Sequence, residues 1–208
     1  MAVHVFIDNS NLFGGAQRAA RTVEPGVPWQ AIRMYYRNFF WLLEDGRDVQ
    51  TRVLGGSIPP GNDALWDYAR DEGYDTSLLK RITLDDGRLV EQAVDEVLHL
   101  RIAMALLRFE PPQTLVIGTG DGNQGHFGTS FDELVHTALN RCWEVEVWSW
   151  QAQLSGRFRG IIGPSGATPQ IKLLDPHYHS ITFVRGGDYS IGGTSVSVID
   201  RVVAEPNW

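Results

Sequence analysis

The chain has 208 residues, 43% of them hydrophobic and 11% aromatic. This excludes a largely disordered protein and leaves room for one sizeable domain with a modest extension. A formal charge of −7 argues against a broadly basic nucleic-acid surface, and no apolar run approaches the ~18 residues needed to span a bilayer.

Neither a charged-then-apolar leader nor a membrane partner is expected. Cys142 is the one cysteine, so intrachain disulfides are excluded and a buried thiol in a reducing, cytoplasmic setting is expected. The cations are 16 Arg and 2 Lys, and Arg suits bidentate phosphate contacts better than Lys does.

Val3 to Ile7 reads as a first strand, ending abruptly on Asp8-Asn9-Ser10-Asn11. Helix formers follow from Leu12 to Arg21, broken at Gly14-Gly15, and Trp29 through Glu44 reads as one aromatic-rich helix stopped by Asp45-Gly46. Val49 to Leu54 is the second strand, Asn62 caps a helix that ends at Gly73, and Tyr74 to Leu79 is a third strand. Glu91 to Phe109 is the longest helical pattern. Thr114 to Ile117 makes strand four, Ser130 opens a helix over Phe131 to Arg141, and Val145 to Trp148 is strand five.

The alternation predicts an α/β fold, a Rossmann-like parallel sheet of about five strands with helices on both faces and the first strand central. Residues 1–160 form this domain, and residues 161–208 form a short C-terminal extension containing β-strands. Within it, Ile171 to Leu174 and Ile181 to Arg185 read as strands. Gln151 to Arg159 reads as one more helix. The tail from Gly186, with four glycines in a short span, is expected to be loosely ordered or completed by a partner.

In such sheets ligands sit beyond the strand C-termini. Asp8 ends the first strand, and Asp121 follows the fourth inside Gly118-Thr119-Gly120-Asp121-Gly122-Asn123. Asp95 opens the long helix that faces the same edge. Hard Mg²⁺ or Mn²⁺ prefers oxygen ligands and stabilises the attacking and leaving oxygens of a phosphoryl group. Asp8, Asp95 and Asp121 are therefore the candidate catalytic and metal-binding residues, with Asp132 as a further candidate ligand. Asn9, Asn11 and Asn123 are placed to orient carboxylates, water or phosphate, and Thr119 to hold the loop or a phosphate.

Taken one by one, these residues have plainer roles. A strand-end Asp8 also suits a helix N-cap, and Asp132 also suits the first turn of a helix. Glu91, Asp95 and His99 share one helix stripe, where a solvated face accounts for Glu91 and His99. His177 and His179 lack further His or Cys at zinc spacing and are expected at the surface. The glycine loop lacks the third glycine of a dinucleotide-binding turn. An aspartyl-phosphate enzyme would want an acid where Ser10 stands.

Cations near the crevice are Lys80, Arg81 and Arg88 after strand three, and Arg157 and Arg159 after strand five. Arg81 and Arg157 are the candidates to track a phosphate backbone. Trp148, Trp150 and Phe127 are expected in the core, with base stacking as the alternative.

Four stretches resemble the NYN family of PIN-like metal-dependent ribonucleases: Asp8-Asn9-Ser10-Asn11, Val94-Asp95, Thr119-Gly120-Asp121-Gly122-Asn123 and Val145-Glu146-Val147-Trp148. The resemblance covers roughly residues 3–150, in order and near the family's separations. It implies a PIN-like fold, a Mg²⁺- or Mn²⁺-dependent endoribonuclease, and RNA, single-stranded or structured, as substrate. Two positions depart from the pattern. Asn123 stands where the family has a second acid, and Arg101 where another acid commonly falls. The alternative is accordingly a catalytically weakened RNA-binding or protein-interaction module. The region after Trp150 is expected to help bind substrate or a second copy of the chain as a homodimer.

Overall fold

Val3–Asp8, β1, is buried along its whole length, as a strand in the middle of a two-sided sheet must be. The computed structural model describes residues 1–57, 63–79, 82–83, 89–90, 94–122 and 129–206. In chain order β1 is followed by α1 (Asn9–Val23), β2 (Ile32–Met34), α2 (Tyr36–Glu44), β3 (Val49–Ser57), α3 (Asp63–Asp71) and β4 (Asp75–Leu79). Next come β5 (Ile82–Thr83), β6 (Leu89–Val90), α4 (Val94–Arg108), β7 (Thr114–Gly118), α5 (Phe131–Asn140) and β8 (Glu144–Ser149). The chain continues with β9 (Gln170–Leu173), α6 (Tyr178–Ile181), β10 (Thr182–Val184), β11 (Gly187–Ile191) and β12 (Thr194–Val198).

Six strands form one parallel sheet in the order β4-β3-β1-β7-β8-β9. One face carries a core that includes Leu12, Phe39, Trp66 and Trp150; the other packs Phe6, Leu98, Val135 and Phe158. The sheet is thus the expected Rossmann-like α/β arrangement with β1 inside it. It has one strand more than the five predicted, because β9, from the C-terminal extension, pairs in parallel with β8.

Several local expectations differ. Gly14-Gly15 does not break α1, which runs through both. A Cβ on Gly15 would lie 2.2 Å from Trp150 Cδ1, so this glycine is where the helix closes onto a buried indole. The segment from Trp29 to Glu44 is not one helix. Trp29–Ala31 makes a single 3-10 turn, and Ile32–Met34 is extended because it pairs antiparallel with Thr182–Val184. That partner lies about 150 residues further along the chain. Gln151 to Arg159 is not a helix either, but turns followed by a 3-10 segment over Gly156–Gly160.

Cys142 is exposed, not buried, in a left-handed turn with φ 60° between α5 and β8. The glycine-rich tail is ordered as a hairpin: β11 and β12 pair antiparallel across Gly192-Gly193, whose φ angles of 56° and 85° suit a tight two-residue connection. Beyond it Arg201 donates to both carboxylate oxygens of Glu24 and packs over the Tyr178 ring. Asn62, Lys80, Arg81, Arg88, Glu91, Asn123 and Phe127 lie outside the described residues.

Candidate active site

The strand order places the site. From β1 the chain moves to β3 and β4 on one side, then crosses back to β7 on the other. The C-terminal ends of β1 and β7 therefore flank a topological switch point, where open α/β sheets leave a crevice for ligands. Asp8 is the last residue of β1, and Thr119 to Gly122 continue from β7.

Asp8 is buried and acts as the N-cap of α1: its Oδ1 accepts from the Asn11 backbone N–H at 3.0 Å. Its Oδ2 accepts from the Thr119 hydroxyl at 3.2 Å. Thr119 Oγ1 in turn accepts from the Asp121 N–H, also at 3.2 Å. The Asn11 side chain accepts from the Gly120 N–H at 2.9 Å, tying α1 to the loop after β7. Asn9 Oδ1 accepts from the Tyr36 hydroxyl at 2.6 Å, and burial raises that phenol's pKa so that it remains a donor. The side chains of the two asparagines hold the crevice walls through Tyr36 and Gly120, and only the Asn11 backbone reaches Asp8's carboxylate.

Both of Asp8's donors are neutral, and they do not offset what surrounds it. Burial, then the charge of Asp95, and to a lesser degree that of Asp121 push its pKa up to about 7, against the lowering effect of the Asn11 and Thr119 bonds. Asp95 and Asp121, both half-buried, thus act electrostatically on the same carboxyl. A hard dication fits the chemistry of this donor set, since it would replace repulsion between like charges with attraction. Among the described residues, no group of three or more His, Cys, Asp or Glu side chains is placed to hold a metal ion. Mg²⁺ commonly uses one or two carboxylates and completes its shell with water and substrate phosphate.

Asp132 lies in the first turn of α5, half-buried, with Oδ1 lacking a hydrogen-bond partner among the described residues. Arg157 donates to the Gly122 carbonyl at 2.9 Å and stands 3.9 Å from Asp132 Oδ2, which brings it to the loop after β7. Asn123 and Arg81 fall outside the described residues. Arg101, in place of the family's acid, pairs with Asp75 at 2.8 Å.

Sequence reasoning missed the burial of His99. It is 4% exposed rather than solvated, meets Thr129 Oγ1 at 3.0 Å through Nδ1, and stands edge-on to Phe131. Burial lowers its pKa despite the nearby charges of Glu96, Asp121, Glu133 and Asp132. The spacing did hold a signal, because His99 is one turn beyond Asp95 on the same stripe of α4. Trp148 and Trp150 are core residues, as expected, with Trp150 donating to the Leu12 carbonyl. Glu146 is structural: burial pushes its pKa up, but hydrogen bonds from Arg47 and Trp148 outweigh this and hold it below the usual range.

Compared with known proteins, the chain matches no family profile and no curated protein. It is similar in structure to a crystallised protein of unknown function from Vibrio parahaemolyticus. The TM-score is 0.58 at 14% identity, covering 83% of this chain and 92% of the other. That likeness concerns the fold.

Proposed function

We propose that the protein is a metal-dependent endoribonuclease whose centre is the acid cluster at the β1–β7 crevice, acting in the cytoplasm with Mg²⁺ or Mn²⁺. The observation that carries this reading is Asp8: a buried carboxyl at a strand tip, repelled by Asp95 and Asp121, in the crevice where α/β sheets bind ligands. RNA as the substrate rests on the resemblance to NYN-type nucleases. Among the described residues, no helix is long and apolar enough to cross a membrane.

Asp8 and Asp121 would hold the ion, with Asp95 and Asp132 supplying further negative charge around it. When bound, such an ion stabilises negative charge on phosphate oxygens and makes water a better nucleophile. The Thr119 hydroxyl fixes the rotamer of Asp8, and Asn11 fixes the loop that carries Asp121. Arg157, beside that loop, is placed to meet a non-bridging phosphate oxygen.

Replacing Asp8 or Asp121 by Asn should abolish Mn²⁺-dependent cleavage of a labelled RNA while leaving the melting temperature unchanged or higher. Cleavage by both variants at the wild-type rate, in nuclease-free preparations, would overturn the mechanism.

A second reading, an RNA-binding module with weakened catalysis, draws on Asn123, which offers a carbonyl oxygen where an acid would add charge. Calorimetric titration with Mn²⁺ separates the two. Saturable binding that Asp8→Asn removes belongs to the enzyme, whereas RNA binding indifferent to both Mn²⁺ and Asp8→Asn belongs to the module.

A further inference from the structure

Beside the crevice, between α1, α2 and α3, the fold leaves a cavity of about 770 Å³. That is within the usual size range for small-molecule sites. Asn9, the residue after Asp8, forms part of its wall, so cavity and acid cluster are neighbours along the backbone.

The lining combines exposed aromatic surface with cations. Trp29 is 45% exposed, Tyr35 is half-buried, and Arg33 and Arg37 line the same space. No Asp or Glu is among the described lining residues, in a chain where 25 acids outnumber 18 bases. Gln30 and Gln17 add polar, uncharged side chains to the same lining. An acidic peptide would use the arginines but leave the rings idle. Nucleobases and their phosphates use both, because every base offers a π-face and every phosphate an anion.

We propose that this groove receives unpaired nucleotides of a single-stranded RNA next to the phosphate being cut. The bases stack on Trp29 and Tyr35, and Arg33 and Arg37 meet phosphates. The strand then passes Asn9 toward Asp8. This assignment rests on the nuclease reading for its direction, but its chemistry is tested separately.

The experiment is fluorescence anisotropy of an end-labelled oligouridine titrated with the full chain in EDTA, where no cutting occurs. Trp29→Ala and Arg37→Ala should each raise the dissociation constant by about tenfold. Trp29→Phe should retain most of the affinity, and a duplex RNA of equal length should bind more weakly than the single strand. Wild-type affinity in both alanine variants would overturn the groove, as would equal binding of duplex and single strand. Polyglutamate competing as well as unlabelled oligouridine would overturn it in favour of an acidic peptide. The two proposals fail separately. If Trp29→Ala loses binding while Asp8→Asn cuts like wild type, only the nuclease centre falls; if Asp8→Asn abolishes cutting while Trp29→Ala binds normally, only the groove falls.

Discussion

Asp8 is pulled in opposite directions by its two surroundings. Capping α1 and accepting from Thr119 favour the carboxylate, but burial and the charges of Asp95 and Asp121 win, and the carboxyl rises from 3.8 to about 7. A raised acid pKa means that the folded state binds more protons than the unfolded chain between these two values. Stability is therefore greatest below the unfolded value and falls as pH rises toward 7, by up to about 4 kcal/mol from this group alone. Asn keeps an N-cap acceptor but cannot ionise. In EDTA, urea unfolding from pH 4 to pH 8 should show wild type losing stability relative to Asp8→Asn, with the gap levelling off above neutrality. Parallel profiles for the two proteins would mean that Asp8 is ionised throughout and that its burial does not govern it. The same reasoning makes the acid useful, since a carboxyl that resists ionisation alone is one that a cation stabilises.

At the level of elements, the two glycines of α1 separate propensity from packing. A Cβ on Gly14 would have as its nearest atom the end of the Gln153 side chain at 3.8 Å, an ordinary contact, whereas on Gly15 it would meet Gln153 Oε1 at 1.9 Å and Trp150 Cδ1 at 2.2 Å. Gly14→Ala should thus stabilise by roughly 0.5–1 kcal/mol, the usual helix-interior gain. Gly15→Ala should cost about 1–3 kcal/mol, because Trp150 is fully buried and bonded to the Leu12 carbonyl. Equal stabilities in thermal melts would show that the indole repacks freely. This pair also marks what the sequence made legible. The strands β1, β3, β4, β7 and β8 were readable, as were the helices α4 and α5, because apolar runs and stop signals are local. The acids at the strand tips were readable for the same reason. What stayed hidden depended on distant partners: Ile32–Met34 becomes a strand only by meeting Thr182–Val184, β9 was readable as a strand but not as the sixth of the main sheet, which it joins through β8, and Gly15 matters only because Trp150 arrives from beyond β8. The burial of His99 likewise required Thr129 and Phe131. Cys142 misled because small apolar residues are usually inside, while its left-handed turn keeps it out.

Over the whole molecule, the C-terminal extension is built into the domain. β9 completes the sheet, β10 covers β2, and Arg201 closes onto Glu24 with both residues largely shielded. Charge is the other property of the whole chain. At −7 the molecule repels a polyanion from most directions, so any RNA must be held where cations collect without acids. The groove offers Arg33 and Arg37 in that way, while Arg157, beside Asp132 at the loop after β7, adds a third cation next to the acid cluster. If these three neutralise phosphates, about three counterions leave on binding, and log K should fall against log salt with a slope of about −2 for a single strand. Stacking on Trp29 and Tyr35 contributes without releasing counterions, so most of the affinity should survive moderate salt. Anisotropy titrations of oligouridine across a salt series, in EDTA, measure this slope directly. A slope near −2 that becomes shallower by about 0.7 in Arg37→Ala fits a strand held by three arginines and stacked rings. A slope of about −5 or steeper would require a basic surface far broader than these three arginines provide, and would move the RNA out of the groove.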